Sequence, residues 1–375
     1  MRKMSFLALP LIMMFGLQTN AKPAFELNDP NYQFDQTKLD AANDAFHFLR
    51  TYVDYFYLVI KENSTNLPTV ESLENVAGWC VGDAHPENFG MLIQQNGRSL
   101  FTMNDIDDSG PCPVGLDLVR LMVSSSLAYS DINIDSILQA YLTGLQRKTY
   151  DTPSVVDDMS KKSQKKGTDV DSKKIDGKKI VRDENAEEVT PEERDAVKAA
   201  LIVFQSVLSS KTKVLDMIST RKTGGGSGGL LRYEVLLDND GTLLHLELKE
   251  EVTPSIYPVA TSDIPPSANR ILTTLKLDQD KPSQYYAVVK VNDRDMFVRP
   301  RFDGNVGVNL TKQSDGDNKD LIYFEAYTLG LIHSRSVQDI PGWVQQLQYT
   351  SIDSLKNNVS AIAEHFQAKF SSLKK

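Results

Sequence analysis

A chain of 375 residues is long enough to bury a real core, arranged as one large or two moderate domains. Its 41% hydrophobic and 24% charged residues are those of an ordinary globular protein. A formal net charge of -9 argues against a general nucleic-acid binder, because no broad basic face is implied. It leaves room for a ligand held by a few local donors and a metal.

The chain opens with a short basic start, Met1-Arg2-Lys3, followed by an almost wholly apolar run over 6–17. Thr19-Asn20-Ala21 then places small residues at the cleavage positions of a signal peptide. The expectation is a leader over 1–21, cut after Ala21, and a periplasmic or secreted mature chain. The run is too short to span a bilayer comfortably and no second one follows, so no stable membrane anchor is expected. Cys80 and Cys112 are the only cysteines. They are too few for a disulfide scaffold and are not spaced as a zinc site, and both one bridge and two buried thiols fit.

Residues 40–61 carry Phe46, Phe48, Leu49, Tyr52, Val53 and Phe56 at helical intervals and predict one amphipathic helix. Two apolar runs, 89–94 and 99–103, flank Asn96-Gly97 and predict a hairpin. Helices are expected over 116–129 and 134–145. Residues 151–195 are rich in Lys pairs and poor in apolar residues, the composition of a flexible surface insertion. At its end Thr190, Pro191 and the following acids predict a capped helix start. Strands follow at 231–237 and 242–250, joined by Asp238-Asn239-Asp240-Gly241. In the second, Leu244, Leu246 and Leu248 share one face while His245, Glu247 and Lys249 share the other. A helix over 267–277, strands at 285–291 and 296–299, and a mainly helical stretch from 321 complete the chain. The pattern is α+β, without internal repeats. Its units are 22–150 with the catalytic and metal loops, the insertion at 151–195, a strand unit at 196–300, and helices at 301–375.

Three stretches carry chemistry. Gly82-Asp83-Ala84-His85-Pro86-Glu87-Asn88-Phe89-Gly90 places an Asp five residues before an Asn. In a phosphotransfer loop such an Asp orients or deprotonates the acceptor and the Asn binds a metal, with His85 as an orienting group. One hairpin later Asn104-Asp105-Ile106-Asp107-Asp108-Ser109-Gly110 offers carboxylates for Mg²⁺ or Mn²⁺, which needs one or two of them plus phosphate oxygens. The third is Lys222-Thr223-Gly224-Gly225-Gly226-Ser227-Gly228-Gly229, whose glycines let backbone N–H groups approach phosphates. It leads into a strand hairpin that ends in Lys249, and the hairpin disfavours a Rossmann site, where a helix would follow.

These motifs resemble those of an uncharacterised bacterial family, domain of unknown function 2252, related to protein kinases and aminoglycoside phosphotransferases. The resemblance rests on G-D-A-H-P-E-N-F-G at 82–90, N-D-I-D-D-S-G at 104–110, L-D-L-V-R-L at 116–121, G-G-G-S-G-G at 224–229 and L-K-E at 248–250. Weaker support comes from F-V-R-P at 297–300 and I-H-S-R-S at 332–336. It implies a two-lobed kinase-like fold with a largely helical lobe and a small antiparallel-sheet lobe. It implies Asp83 as catalytic base, Asn88, Asp105 and Asp107 on the metal, and Asp117 bracing the catalytic loop. Gly224, Gly226, Ser227 and Gly229 would cover the phosphates of ATP or another nucleotide, and Lys249 would pair with them. In an ordinary kinase the glycine loop comes first, whereas here it follows the catalytic loop by over a hundred residues, so a circular permutation is expected.

The expected function is an exported phosphotransferase, or a nucleotidyl transferase with the nucleotide reversed, acting on a small-molecule or protein acceptor that the sequence does not identify. The rivals are an exported pseudokinase serving as a binding or scaffold protein and a calcium-binding protein using Asp105, Asp107 and Asp108. The helix expected to supply a glutamate to Lys249, at 267–277, contains no acid, which leaves Glu250 or Glu251 as substitutes.

Overall fold

The computed structural model describes residues 27–375, so the expected leader at 1–21 lies outside the described residues. The single helix expected over 40–61 is three: α1 (Gln36–Ala41), α2 (Ala45–Thr51) and α3 (Val53–Glu62). The breaks are local chemistry. Asp44 caps α2 by accepting from the His47 N–H, and Tyr52, at φ -113° and ψ 68°, leaves helical dihedrals between α2 and α3.

Helix α4 (Pro68–Leu73) leads to strand β1 (Ala77–Cys80). The expected hairpin forms as β2 (Phe89–Ile93) and β3 (Ser99–Met103), with Gly97 at φ 77° in its turn. Strand β4 (Gly110–Pro113) then returns to pair antiparallel with β1, and a Cys80–Cys112 disulfide joins the two. The bridge encloses both carboxylate-bearing loops, 82–88 and 104–109, between its ends.

Helices α5 (Gly115–Ala128) and α6 (Ile134–Leu145) fall where expected. The Lys-rich stretch differs from its reading as a flexible insertion. It builds α7 (Ser154–Lys166), the short strands β5 (Ile175–Asp176), β6 (Lys179–Ile180) and β7 (Ala186–Glu188), and the start of α8 (Pro191–Ala200). Its few apolar residues are placed to anchor it: Val156, Met159, Ile175 and Ile180 are all buried, and the lysines face outward. Thr190 and Glu193 form the capping box at α8.

Strands β8 (Lys213–Arg221), β9 (Leu231–Asn239), β10 (Thr242–Glu250), β11 (Ala287–Val291) and β12 (Arg294–Pro300) make an antiparallel sheet in the order β11-β12-β10-β9-β8-β7. Helix α9 (Ser267–Asp278) connects β10 to β11. A short β13 (Val306–Gly307) pairs with β2 and joins the sheet region to helices α10 (Asp315–His333), α11 (Ile340–Tyr349) and α12 (Ile352–Leu373). The architecture is α+β, with twelve α-helices and antiparallel sheets among the described residues.

The sheet has two different faces because side chains alternate along each strand. Leu244, Leu246 and Leu248 pack with Val235, Leu237 and Met217 under Val197 of α8. The opposite face presents Glu247, Lys249, Arg232 and Arg299, with Lys249 and Arg299 reaching Asp105 and Asn104 in the loop after β3. A second, larger core joins α2–α6 with α10–α12. No described helix is long and apolar enough to cross a membrane.

Candidate functional site

The loop that begins at Gly82 is fixed from below by Asp117, on the first turn of α5. Its fully buried carboxylate accepts from the N–H groups of Val81 (2.6 Å) and Gly82 (3.1 Å). His333 Nε2 lies 3.0 Å from the same carboxylate, and the His333 ring reaches Tyr141 Oη at 2.8 Å through Nδ1. Gly82 sits at φ 89°, and a Cβ there would collide with the carbonyl of Asp108. Glycine is therefore what lets the two carboxylate loops touch.

Asp83 projects into the cleft against Arg120, three residues after Asp117. Arg120 Nη2 and Nε donate to Asp83 Oδ1 at 2.5 and 3.0 Å, and His85 Nε2 stands 3.4 Å from Oδ2. Burial would raise the Asp83 carboxyl, but His85 and Arg120 outweigh it and hold it below the usual carboxylate range. Burial lowers His85, and Asp83 opposes that shift. Such an Asp83 keeps its charge and accepts a hydrogen bond. Asn88 Nδ2 donates to the carbonyls of Asp83 (2.9 Å) and Asp105 (3.3 Å), which leaves Oδ1 as the atom available to a metal.

The carboxylates of Asp105 and Asp107 meet Lys249, which reaches across from β10. Lys249 is 2% exposed, its Nζ lies 3.1 Å from Asp105 Oδ2, and it also pairs with Asp107 Oδ2. Burial raises Asp105, and Lys249 and Arg299 more than reverse this, holding it below its ordinary value. Asp107 Oδ1 is buried without a partner, the kind of orphaned acceptor that a divalent cation satisfies. Among the described residues no three carboxylate, imidazole or thiol groups converge to hold a metal by themselves. Asp108 faces the same space, with Oδ1 accepting from the Ser255 N–H at 2.6 Å; burial and Asp83 raise its carboxyl to about 6.

The glycine turn between β8 and β9 roofs the cleft. Gly229, at φ 82°, donates its N–H to the Lys222 carbonyl at 2.8 Å and closes the turn. Arg232 Nη2 donates to Ser227 Oγ at 2.7 Å from beneath. Above, the turn is met by α1: Lys38 Nζ donates to the Gly226 carbonyl at 3.1 Å, and a Cβ on Gly224 would stand 2.7 Å from that of Ala41.

These parts enclose a cavity of about 340 Å³. Asp83, Asn88, Asp105, Asp107, Gly224, Gly226, Ser227 and Lys249 all line it, whereas Gly229 shapes the turn from outside. Neither Glu250 nor Glu251 is the partner of Lys249. Glu250 accepts from the Leu231 N–H and pairs with Arg294, and Glu251 pairs with Arg270 of α9 at 2.7 Å. Arg50 and Lys222 line the cavity unforeseen, and Arg120 and Arg299 lie behind it. Lys222, Arg120 and Arg299 were present in the quoted motifs, but their long-range partners are not written in sequence.

No curated protein and no solved structure matches the chain. A family model matches it over residues 37–202 and 151–372, which together cover nearly the whole of the described structure. The chain belongs to the family described as "Uncharacterized protein conserved in bacteria", DUF2252.

Proposed function

We propose that this protein is a metal-dependent phosphotransferase with a circularly permuted, kinase-like arrangement, acting outside the cytoplasm. The observation that carries the reading is the convergence on one cleft of three distant stretches, 83–88, 105–107 and 224–249, with Lys249 paired to Asp105. The fold supports it. A glycine turn between β8 and β9, a lysine on β10 and the strand order β8-β9-β10-β12-β11 follow the order of parts expected of a kinase's smaller lobe. The carboxylate loops flank the β2–β3 hairpin on the other side of the cleft. The Cys80–Cys112 bridge accords with an oxidising compartment.

In this reading Asn88, Asp105 and Asp107 would hold Mg²⁺ or Mn²⁺, which would supply charge neutralisation on a phosphate anhydride. The Lys249 ammonium would pair with the phosphates, and the Gly224–Ser227 backbone would cover them. Asp83 accepts a hydrogen bond from the attacking hydroxyl and aims its oxygen at phosphorus. Because Asp83 stays ionised, the proton passes on to product or solvent. Transfer of a nucleotidyl group would use the same parts with the donor reversed.

The test is phosphate release from anhydride donors with Mn²⁺ or Mg²⁺, alongside calorimetric titration of the same donors. Asp83→Ala is expected to slow release by about 10²-fold while sparing binding. Asp105→Ala is expected to weaken metal-dependent binding. Wild-type release and binding in both variants would overturn the assignment.

A further inference from the structure

A site for a nucleobase is a flat apolar slot that stacks on the ring and offers a few polar groups to its edge. Among the described residues the cleft has no such slot. No described Phe, Tyr or Trp lines it, and the larger apolar side chains among its described lining are Leu230 and Val252, the latter 52% exposed. The remaining walls are carboxylates, cations, imidazoles, hydroxyls and glycine backbone.

Deeper along the sheet, beyond Lys249, the inner face is closed by charge rather than by aliphatic surface. Glu247 is buried and accepts from Arg299 Nε at 2.6 Å, with an Arg301 guanidinium nitrogen at 4.0 Å. Arg299 in turn stands 3.6 Å from Asp105. Arg232, 1% exposed, fills the space below the glycine turn. Displacing Glu247 or Arg299 to admit a base would leave its buried charged partner uncompensated. About 340 Å³ also sits at the lower end of the usual range for ligand pockets.

What the cleft does offer suits a compact polyanion. Lys222 and Lys249 stand on the sheet side and Arg50 on the helical side, with the Arg50 Nε buried and unpartnered. Six carboxylates line the same space, among them Glu87 paired with Arg50 and Asp105 and Asp107 paired with Lys249, so an anion must arrive with divalent cations to be held. We infer that the ligand of this cleft is a base-free phosphate anhydride, inorganic pyrophosphate or a short polyphosphate, chelated to a divalent cation. This rests on the phosphotransfer reading and narrows its donor.

In the reaction the bridging P–O bond to the terminal phosphorus breaks, and its electron pair stays on the oxygen of the shortened chain, which leaves. The acceptor oxygen forms the new bond to that phosphorus and gives up its proton to solvent. No oxidant or nucleoside is required.

The experiment is calorimetric titration of wild-type protein with tripolyphosphate and with ATP, each in the presence of Mn²⁺ and, separately, Mg²⁺. The expected result is tripolyphosphate binding, with ATP less than tenfold tighter, and no effect of added adenosine on either isotherm. ATP binding tighter by tenfold or more, a contribution of 1.4 kcal/mol or above from the nucleoside, would overturn the inference and leave the phosphotransfer reading intact. Binding of neither compound with either metal would overturn both.

Discussion

Arg120 is fully buried and lies over the Phe56 ring at 5.0 Å, and its guanidinium donates to the Asp83 carboxylate and to the Leu49 carbonyl. Removing it leaves the charged Asp83 with only His85 beside it. Arg120→Met is therefore expected to destabilise the fold by about 3–5 kcal/mol in urea unfolding. A variant as stable as wild type would show that the pair does not hold the loop. The pair also has a pH signature. Because the Asp83 carboxyl is held below its ordinary value, its stabilisation is fully present above about pH 4 and is lost as pH falls through the lower folded value. In Arg120→Met that acid-side loss should shrink. At this scale sequence was informative where chemistry is contiguous: Asp83 and Asn88 lie five apart, and both line the cavity. It was silent where a role depends on a distant partner, as with Arg120 to Asp83 and Arg299 to Asp105.

Helix α9 shows how one element positions another. Arg270, Thr274 and Asp278 recur every four residues and form one stripe along it. Arg270 donates to the carbonyls of Asp107 and Ser109, Thr274 meets Ser109 Oγ at 2.6 Å, and Asp278 Oδ1 accepts from Thr102 and the Met103 N–H. The helix that lacks a glutamate for Lys249 thus grips the carboxylate loop by its backbone. Burial raises Asp278 to about 6 despite those bonds. A raised carboxyl penalises folding once ionised, so its cost is absent near pH 4 and complete above about pH 6. Asp278→Asn keeps the acceptor and removes the charge. Over that window wild type should lose about 3 kcal/mol relative to the variant, measured by denaturant titration at each pH. Parallel curves would place the carboxyl in a wetter setting. The hairpin at 89–103 and the strands at 231–250 were legible because turn chemistry and alternation agree. Residues 151–195 were misread because lysine pairs dominate the composition, while four spaced anchors, Val156, Met159, Ile175 and Ile180, decide the fold.

Over the whole molecule the chain order and the spatial order disagree, and the disulfide is where that matters for stability. Cys80 and Cys112 are 32 residues apart, and the loop they close holds most of the carboxylates that line the cavity. Closing a loop of that length is worth about 4 kcal/mol in chain entropy. The double variant Cys80→Ala, Cys112→Ala should lose stability on that order in urea unfolding, and an unchanged midpoint would mean that the β1–β4 ladder alone holds the ends. Composition and helical periodicity exposed the α+β class, but the joining of separate stretches into one cleft depends on contacts that no local pattern records. The last of those joins is the packing of α1 on the glycine turn, through Lys38 and Ala41. A turn tethered in this way is coupled to the helix that holds it. In the phosphotransfer reading, exchange of one occupant for the next would then draw on α1 as well as on the turn, a latch on residence time rather than a wall.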